Sequence, residues 1–264
     1  ASGPVLFMGR LLGKKIYIQE QNSYPGITNK ILAKFASKIF VAYDNLHQFF
    51  NPNKIIQTGN PVRKDITTTL PTKKEACNFF QLSTDKKTIL IIGGSLGAKT
   101  INESIEKNLL QFQQNNLQII WQTGKVYYDG IIERTKNIDL SSIKIQQFIR
   151  EMNMAYAAAD IVVSRAGALS ISELCIIGKP SILIPSPNVS EDHQTKNAMA
   201  LVNRKAAILV KDTEAKQKLV ETALELIKNK DQQEQLISNI KILAYPNSTN
   251  SIAKEVIKLA GYVS

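Results

Sequence analysis

Cysteine is nearly absent from this chain. The two residues among 264, Cys77 and Cys175, lie far apart in apolar helical contexts. That excludes a disulfide framework and a thiolate metal site and leaves both as packing residues. Histidine is equally scarce, with only His47 and His193, and His47 sits in an amphipathic stretch beside Phe49 and Phe50, a structural setting. Aromatic residues make up 7% of the chain, and no RNP-type or zinc-finger pattern occurs, which argues against nucleic acid as a partner. No apolar run approaches the roughly 18 residues needed to cross a bilayer. The start, Ala1-Ser-Gly-Pro, lacks the basic and apolar regions of a signal peptide, so the expected address is the cytoplasm. No Asp-x-Asp pair is present, and nothing in the sequence requires a bound metal or cofactor.

What is present is positive charge. The formal net charge is +11, and residues 1–60 hold seven basic side chains against two acidic ones. The anionic partner this suggests is a phosphorylated substrate or an anionic membrane surface. Hydrophobic content of 44% and charged content of 21% are those of a globular protein able to bury one large core or two modest ones.

From Lys87 onward, β-rich apolar runs alternate with helical patterns. The runs are Ile89 to Ile92, Leu117 to Trp121, Ile143 to Gln147, Ile161 to Val163, Ser181 to Ile184 and Ala207 to Val210. Such alternation predicts βαβ units in a doubly wound parallel sheet, with Ile101, Ile105, Leu109 and Phe112 on one helical face. Three further strands, Lys15 to Gln19, Ile39 to Ala42 and Lys54 to Gln57, precede this domain, with helical stretches near 28–36 and 45–50 between them. Three strands with so little helical cover leave an exposed apolar edge, so the chain reads as truncated at its front. The expected division is a remnant front half over 1–62, a complete rear half over 63–243, and a final segment over 244–264 that carries Ile252, Val256 and Leu259 on one stripe. Asn60-Pro61-Val62 is the expected hinge.

Five motifs stand where strands give way to helices. Ile161-Val-Val-Ser-Arg165-Ala-Gly-Ala-Leu-Ser170-Ile-Ser-Glu173 runs from strand through a small-residue turn into a helix. Its first N–H groups suit a diphosphate and Glu173 suits a sugar diol, although the segment taken alone reads first as an ordinary strand-to-helix junction of an α/β sheet. Gly93-Gly94-Ser95-Leu-Gly97-Ala98 has the form of a phosphate cradle, although neither a Walker A loop nor a clean G-x-G-x-x-G; the same turn also forms merely to let strand and helix pack closely. Pro185 to Asn197 crowds polar groups, His193 and Gln194 among them, at the carboxyl end of a strand. It is equally a helix start in which Ser190 and Asp192 satisfy backbone donors. Glu20-Gln-Asn22-Ser-Tyr-Pro25-Gly26 aims amides at the same crevice, and Gly59-Asn60-Pro61-Val62-Arg63 sets a guanidinium fork at the hinge. Each of these two has an ordinary turn-and-cap reading beside it.

Taken together and in this order, the motifs resemble the bacterial MurG family, the UDP-N-acetylglucosamine transferases that complete the lipid-linked peptidoglycan precursor. The resemblance covers essentially the whole chain. It implies an α/β GT-B fold of two Rossmann-like halves facing a cleft, the front one incomplete here, with the last helix crossing back onto it. It also implies that Ser95 and Arg63 lie at or near the donor diphosphate, that main-chain groups of Ile149 read uracil, and that Glu173 holds the ribose. Arg165 would support the loop, with Ala168, Leu169 and Ser170 along the diphosphate and sugar. His193 and Gln194 would stand against the sugar hydroxyls, and Asn22 would reach them from the other half.

The implied reaction is inverting transfer of N-acetylglucosamine to the 4-hydroxyl of an undecaprenyl-diphosphate-linked muramyl-peptide, at the cytoplasmic face of the plasma membrane. The family's opening Gly-rich loop with its histidine, the favoured general base, has no counterpart in this sequence, which implies donor binding with little or no turnover. Contact with the membrane through Leu6, Phe7, Met8, Leu11 and Leu12 beside Arg10, Lys14 and Lys15 competes with a role for the same helix as sheet cover. Other GT-B glycolipid synthases, a UDP-sugar 2-epimerase and a noncatalytic UDP-sugar-binding module needing a partner subunit are the alternatives.

Overall fold

A computed structural model describes residues 2–261. Among the described residues, nine strands form two parallel sheets. The front sheet holds β1 (Tyr17–Glu20), β2 (Lys38–Val41) and β3 (Ile55–Gln57) in that order. The rear sheet holds β4 (Lys87–Ile92), β5 (Leu117–Gln122), β6 (Ile143–Gln146), β7 (Ile161–Ser164), β8 (Ser181–Leu183) and β9 (Ile208–Leu209), arranged β6-β5-β4-β7-β8-β9. All nine expected runs are strands, shifted by a residue or two at their ends.

The central strands β4, β5, β7 and β8 are buried on both faces, whereas the edge strands β6 and β9 are only partly covered. Leu90, Ile120, Val162 and Leu183 enter one buried cluster with the helices Met152–Ala158 and Ala168–Ile177. Their neighbours Ile89, Ile119, Trp121, Val163 and Ile182 enter the other, with the helices Lys99–Lys107 and Ala215–Lys228. Ile101, Ile105, Leu109 and Phe112 are all buried as expected, although the helix is broken at Asn108 between Lys107 and Leu109. Cys77 and Cys175 are both buried and unpaired, and burial pushes the Cys175 thiol up to about 12.

Cover is thin around the front sheet. Ile18, Ile39, Val41, Leu46 and Phe50 make a small core to which the helix Ser2–Leu11 contributes Leu6. Phe7, Met8, Leu11 and Leu12 of the proposed membrane-facing set are exposed, as is Val5. The helical stretch expected near 45–50 is instead a 3-10 turn, Asp44–Gln48, in which exposed His47 places Nδ1 3.0 Å from the Asp44 carbonyl. No helix among the described residues is long and apolar enough to cross a membrane.

The halves meet through buried polar contacts. Asn60, in the expected hinge segment, links the halves: it accepts from Gln19 Nε2 at 2.6 Å and donates to the Gln21 carbonyl at 2.9 Å and to Ser172 Oγ at 3.0 Å. Beside it, a side chain at Gly59 would collide with Tyr245 at 2.3 Å, so the approach to the last helix, Ser248–Ala260, packs directly on this link. That helix reaches the front half again where Lys15 Nζ donates to the Leu259 carbonyl at 2.7 Å. Residues 262–264 of the expected final segment lie outside the described residues.

Candidate functional site

The rear sheet reverses its winding between β4 and β7, since the chain leaves β4 toward β5 on one side and returns to β7 on the other. Helices leaving those two strands diverge, and the space between them at the carboxyl ends is where open α/β sheets accept ligands. The Gly93 to Ala98 turn closes one side of this crevice and the Arg165 to Gly167 turn the other.

The two readings of the Gly-rich turn divide among its glycines. Gly97, at φ +90°, is a packing glycine, because a Cβ there would lie 2.1 Å from the Thr123 carbonyl. Gly94, at φ +86°, would meet nothing, so its open side is free for a ligand. Ser95 is exposed beside it.

Across the crevice the helix Ala168–Ile177 starts at Gly167 without a side-chain cap, and its first bond runs from Ile171 N–H to the Gly167 carbonyl at 2.9 Å. The N–H groups of Ala168, Leu169 and Ser170 therefore have no partner inside the helix, and the positive end of the dipole faces the crevice.

Glu173 stands one turn into that helix, half-buried, accepting from Tyr156 Oη at 2.9 Å and lying 3.3 Å from Arg63 Nε. Burial raises its pKa above the ordinary glutamate value, opposed by the Tyr156 hydrogen bond and the Arg63 charge. Burial raises the Tyr156 hydroxyl well above its usual range too, so it stays a donor. Each carboxylate oxygen keeps a second lone pair for a diol.

A cavity of about 140 Å³ gathers Arg63, Ser95, Ile149, Ser170 and Glu173 in one place. Arg63, expected at or near the diphosphate, has its Nε 3.3 Å from Glu173 Oε1 on the wall of this cavity. Ile149 does not present both main-chain groups, since its N–H already donates to Gln122 Oε1 at 2.9 Å. Gln122 and Tyr156 were not singled out in the sequence. The only signal for Gln122 was a polar residue ending an apolar strand, and an aromatic in the middle of a helix gives none for Tyr156.

The remaining expected residues lie to the side or behind. Arg165 turns from the crevice and donates to the carbonyls of Ile184 and Pro185 at 3.1 and 3.2 Å and to Asp212, so it braces the loop that follows β8. Gln194 Oε1 accepts from Ser186 N–H at 2.9 Å and Ala166 N–H at 3.2 Å, and its amide nitrogen has no acceptor among the described residues. His193 and Asn22 line a second, more open cavity of about 540 Å³ between the halves. Asn22 Oδ1 accepts from Asn197 Nδ2 at 3.0 Å.

The alternative in which Asp192 caps the helix His193–Val202 does not hold. Asp192 makes no capping bond, and it and Glu191 both take the left-handed conformation, φ +53° and +55°. Two such residues in succession store strain in the loop that presents His193.

Residues 88–255 match the glycosyltransferase family 28 C-terminal domain. The chain is 53% identical over 262 residues to a UDP-N-acetylglucosamine--N-acetylmuramyl-(pentapeptide) pyrophosphoryl-undecaprenol N-acetylglucosamine transferase of Bacteroides fragilis, covering 98% of this chain and 69% of the relative. It is 48% identical to the protein of the same name from Porphyromonas gingivalis, with 98% and 69% covered.

Among solved structures, that of Acinetobacter baumannii MurG superposes with a TM-score of 0.74 at 27% identity, over 97% of this chain and 70% of the other. A UDP-GlcNAc 2-epimerase from Neisseria meningitidis, at 15% identity and a TM-score of 0.66 over 96% of this chain and 72% of that one, shares the fold. The two-sheet arrangement is that of the GT-B glycosyltransferases, with the front half carrying three strands against six in the rear. On this sequence identity and family match, the chain belongs to the MurG family of UDP-N-acetylglucosamine-dependent glycosyltransferases.

Proposed function

We propose that the crevice between β4 and β7 binds UDP-N-acetylglucosamine as the donor for inverting transfer of the sugar to the 4-hydroxyl of an undecaprenyl-diphosphate-linked muramyl-peptide. The observation that carries this reading is the convergence on one switch point of an open glycine turn, an uncapped helix start and a half-buried carboxylate.

Glu173 takes the ribose diol on its remaining lone pairs, with Arg63 and Tyr156 fixing its orientation. Uracil lies against the Ile149 turn. The diphosphate sits between the Gly94 and Ser95 backbone and the free N–H groups of Ala168, Leu169 and Ser170, close to Arg63. As the bond from the anomeric carbon to the diphosphate breaks, negative charge grows on UDP, and these dipoles and the guanidinium are already oriented toward it. The sugar extends toward the Gln194 amide, with His193 and Asn22 on the side of the other half. The acceptor hydroxyl attacks from the opposite face, giving a β-linked product from an α-linked donor.

His47 and His193 are not assigned as the general base. His47 is exposed on the 3-10 turn, and His193, which lines the more open cavity, serves the sugar rather than the attacking hydroxyl on this reading. A lipid-linked acceptor places the reaction at a membrane, on the cytoplasmic face where the nucleotide sugar is made, with the basic front half turned to anionic lipid. The domain division at 62/63 and 243/244 follows from the same reading.

Isothermal titration with UDP-N-acetylglucosamine, UDP-glucose and UDP tests the proposal. The acetamido sugar is expected to bind best, and Glu173→Ala to abolish most of the affinity. Equal affinity for all three ligands, or an unaffected Glu173→Ala variant, would count against it.

A further inference from the structure

Gln122 ends β5 with its side chain almost fully enclosed, 5% exposed as a residue, on the wall of the 140 Å³ cavity. Its carboxamide works in two directions. Nε2 donates to the Gly94 carbonyl at 3.1 Å, and Oε1 accepts the Ile149 N–H at 2.9 Å. One planar group thus joins the turn after β4 to the turn after β6. The backbone that follows is tied to the same two turns, through Gly124 N–H to the Gln147 carbonyl and Lys125 N–H to the Ser95 carbonyl, both 3.1 Å. From below, Asn102 braces this run by donating to the Thr123 carbonyl at 2.8 Å while accepting from Trp121 Nε1 at 3.0 Å.

We infer that Gln122 is a positioning residue that fixes the span between the base and diphosphate subsites, so that the two ends of a uridine diphosphate bind as one unit. The inference rests on the donor site proposed above, where the Ile149 turn meets uracil and the Gly94 turn meets the diphosphate. The ribose between those ligand groups limits the range of distances they can span. A carboxamide is suited to hold the matching protein distance because it donates at one end and accepts at the other. Methionine of similar length does neither, and glutamate keeps the acceptor for Ile149 while placing negative charge against the Gly94 carbonyl.

The experiment compares uridine with UDP, by titration calorimetry on the unmodified chain and on Gln122→Met and Gln122→Glu, each checked by thermal melting. In the unmodified chain UDP is expected to bind far more tightly than uridine. Loss of the two-way tie is expected to weaken UDP by about tenfold, the equivalent of one or two neutral hydrogen bonds, while uridine changes less than about threefold. In Gln122→Glu, uridine is expected to bind as in the unmodified chain while the diphosphate's advantage shrinks.

A common loss of affinity for both ligands, tracking the fall in melting temperature, would show a merely structural role and overturn the inference alone. Failure of the unmodified chain to bind UDP, or uridine binding indifferent to Glu173→Ala, would overturn the donor-site reading and this inference with it.

Discussion

Asn197 Nδ2 donates to Asn22 Oδ1 at 3.0 Å while Asn197 Oδ1 accepts the Ser23 N–H at 2.8 Å, so a single carboxamide closes the gap between front and rear loops. Asn197 is 1% exposed, and its removal leaves a buried N–H with no acceptor. Asn197→Ala is expected to lower stability by about 1–3 kcal/mol in urea unfolding. Because the two side chains share one hydrogen bond, while Asn22 also donates to Glu20 Oε1 at 3.3 Å, the loss in the Asn22→Ala, Asn197→Ala double variant should be smaller than the sum of the single losses. Full additivity would show that the pair does not couple.

Gly124 and Gly94 make a matched pair of tests. Both have positive φ, +81° and +86°, but a Cβ at Gly124 would stand 2.1 Å from Gly97 N, whereas at Gly94 it meets open space. Gly94→Ala should therefore cost only the backbone penalty, about 1–2 kcal/mol. Gly124→Ala must push the whole Gly93 to Ala98 turn away and should cost more, with a measurable loss of UDP affinity. Equal melting temperatures for the two variants would contradict the close backbone contact.

The Glu173 carboxyl, raised by burial, sets opposite pH trends for folding and binding. A raised folded-state pKa means that its contribution to stability is full below the unfolded value of 4.5 and is lost as pH rises through the folded value. Donor binding runs the other way, since the charged carboxylate is the stronger acceptor for a ribose diol. Calorimetry with UDP-N-acetylglucosamine, whose doubly esterified diphosphate does not titrate near neutrality, should show affinity falling on acidification at a pH above 4.5. Glu173→Gln should flatten that dependence, and a profile unchanged in the variant would assign it elsewhere.

Chelation is expected to leave donor affinity unchanged, because the proposed diphosphate site offers backbone N–H groups and Arg63 rather than carboxylates gathered for a cation. Titration with and without EDTA checks this. A loss of binding restored by added divalent ion would refute it.

Much of the architecture was legible from periodicity and punctuation. The six apolar runs from Ile89 to Val210 read as strands of one parallel sheet, and the small residues at Gly93–Gly97 and Gly167–Ala168 marked where strands turn into helices. The helix Ala168–Ile177 begins at its small-residue turn without a side-chain cap. Less legible was the state of each polar group. Arg63 reads as a phosphate ligand beside Pro61, yet its partner Glu173 is brought to it by a helix more than a hundred positions along the chain. The commitment of the Ile149 N–H to Gln122, and of Gln194 to the backbone at Ala166 and Ser186, likewise depends on strand order.

The sequence by itself determined the local elements, the doubly wound rear sheet and the family, because these depend on residue pattern and neighbouring chemistry. Only the tertiary structure decided that the β4 and β7 turns share one crevice, that Gly97 is needed for packing while Gly94 stays open, and that Asn60 links the halves through three hydrogen bonds. The physical reason is that hydrogen bonds and steric contacts act over about three ångströms. Which distant groups come within that range is set by how the strands are ordered and packed.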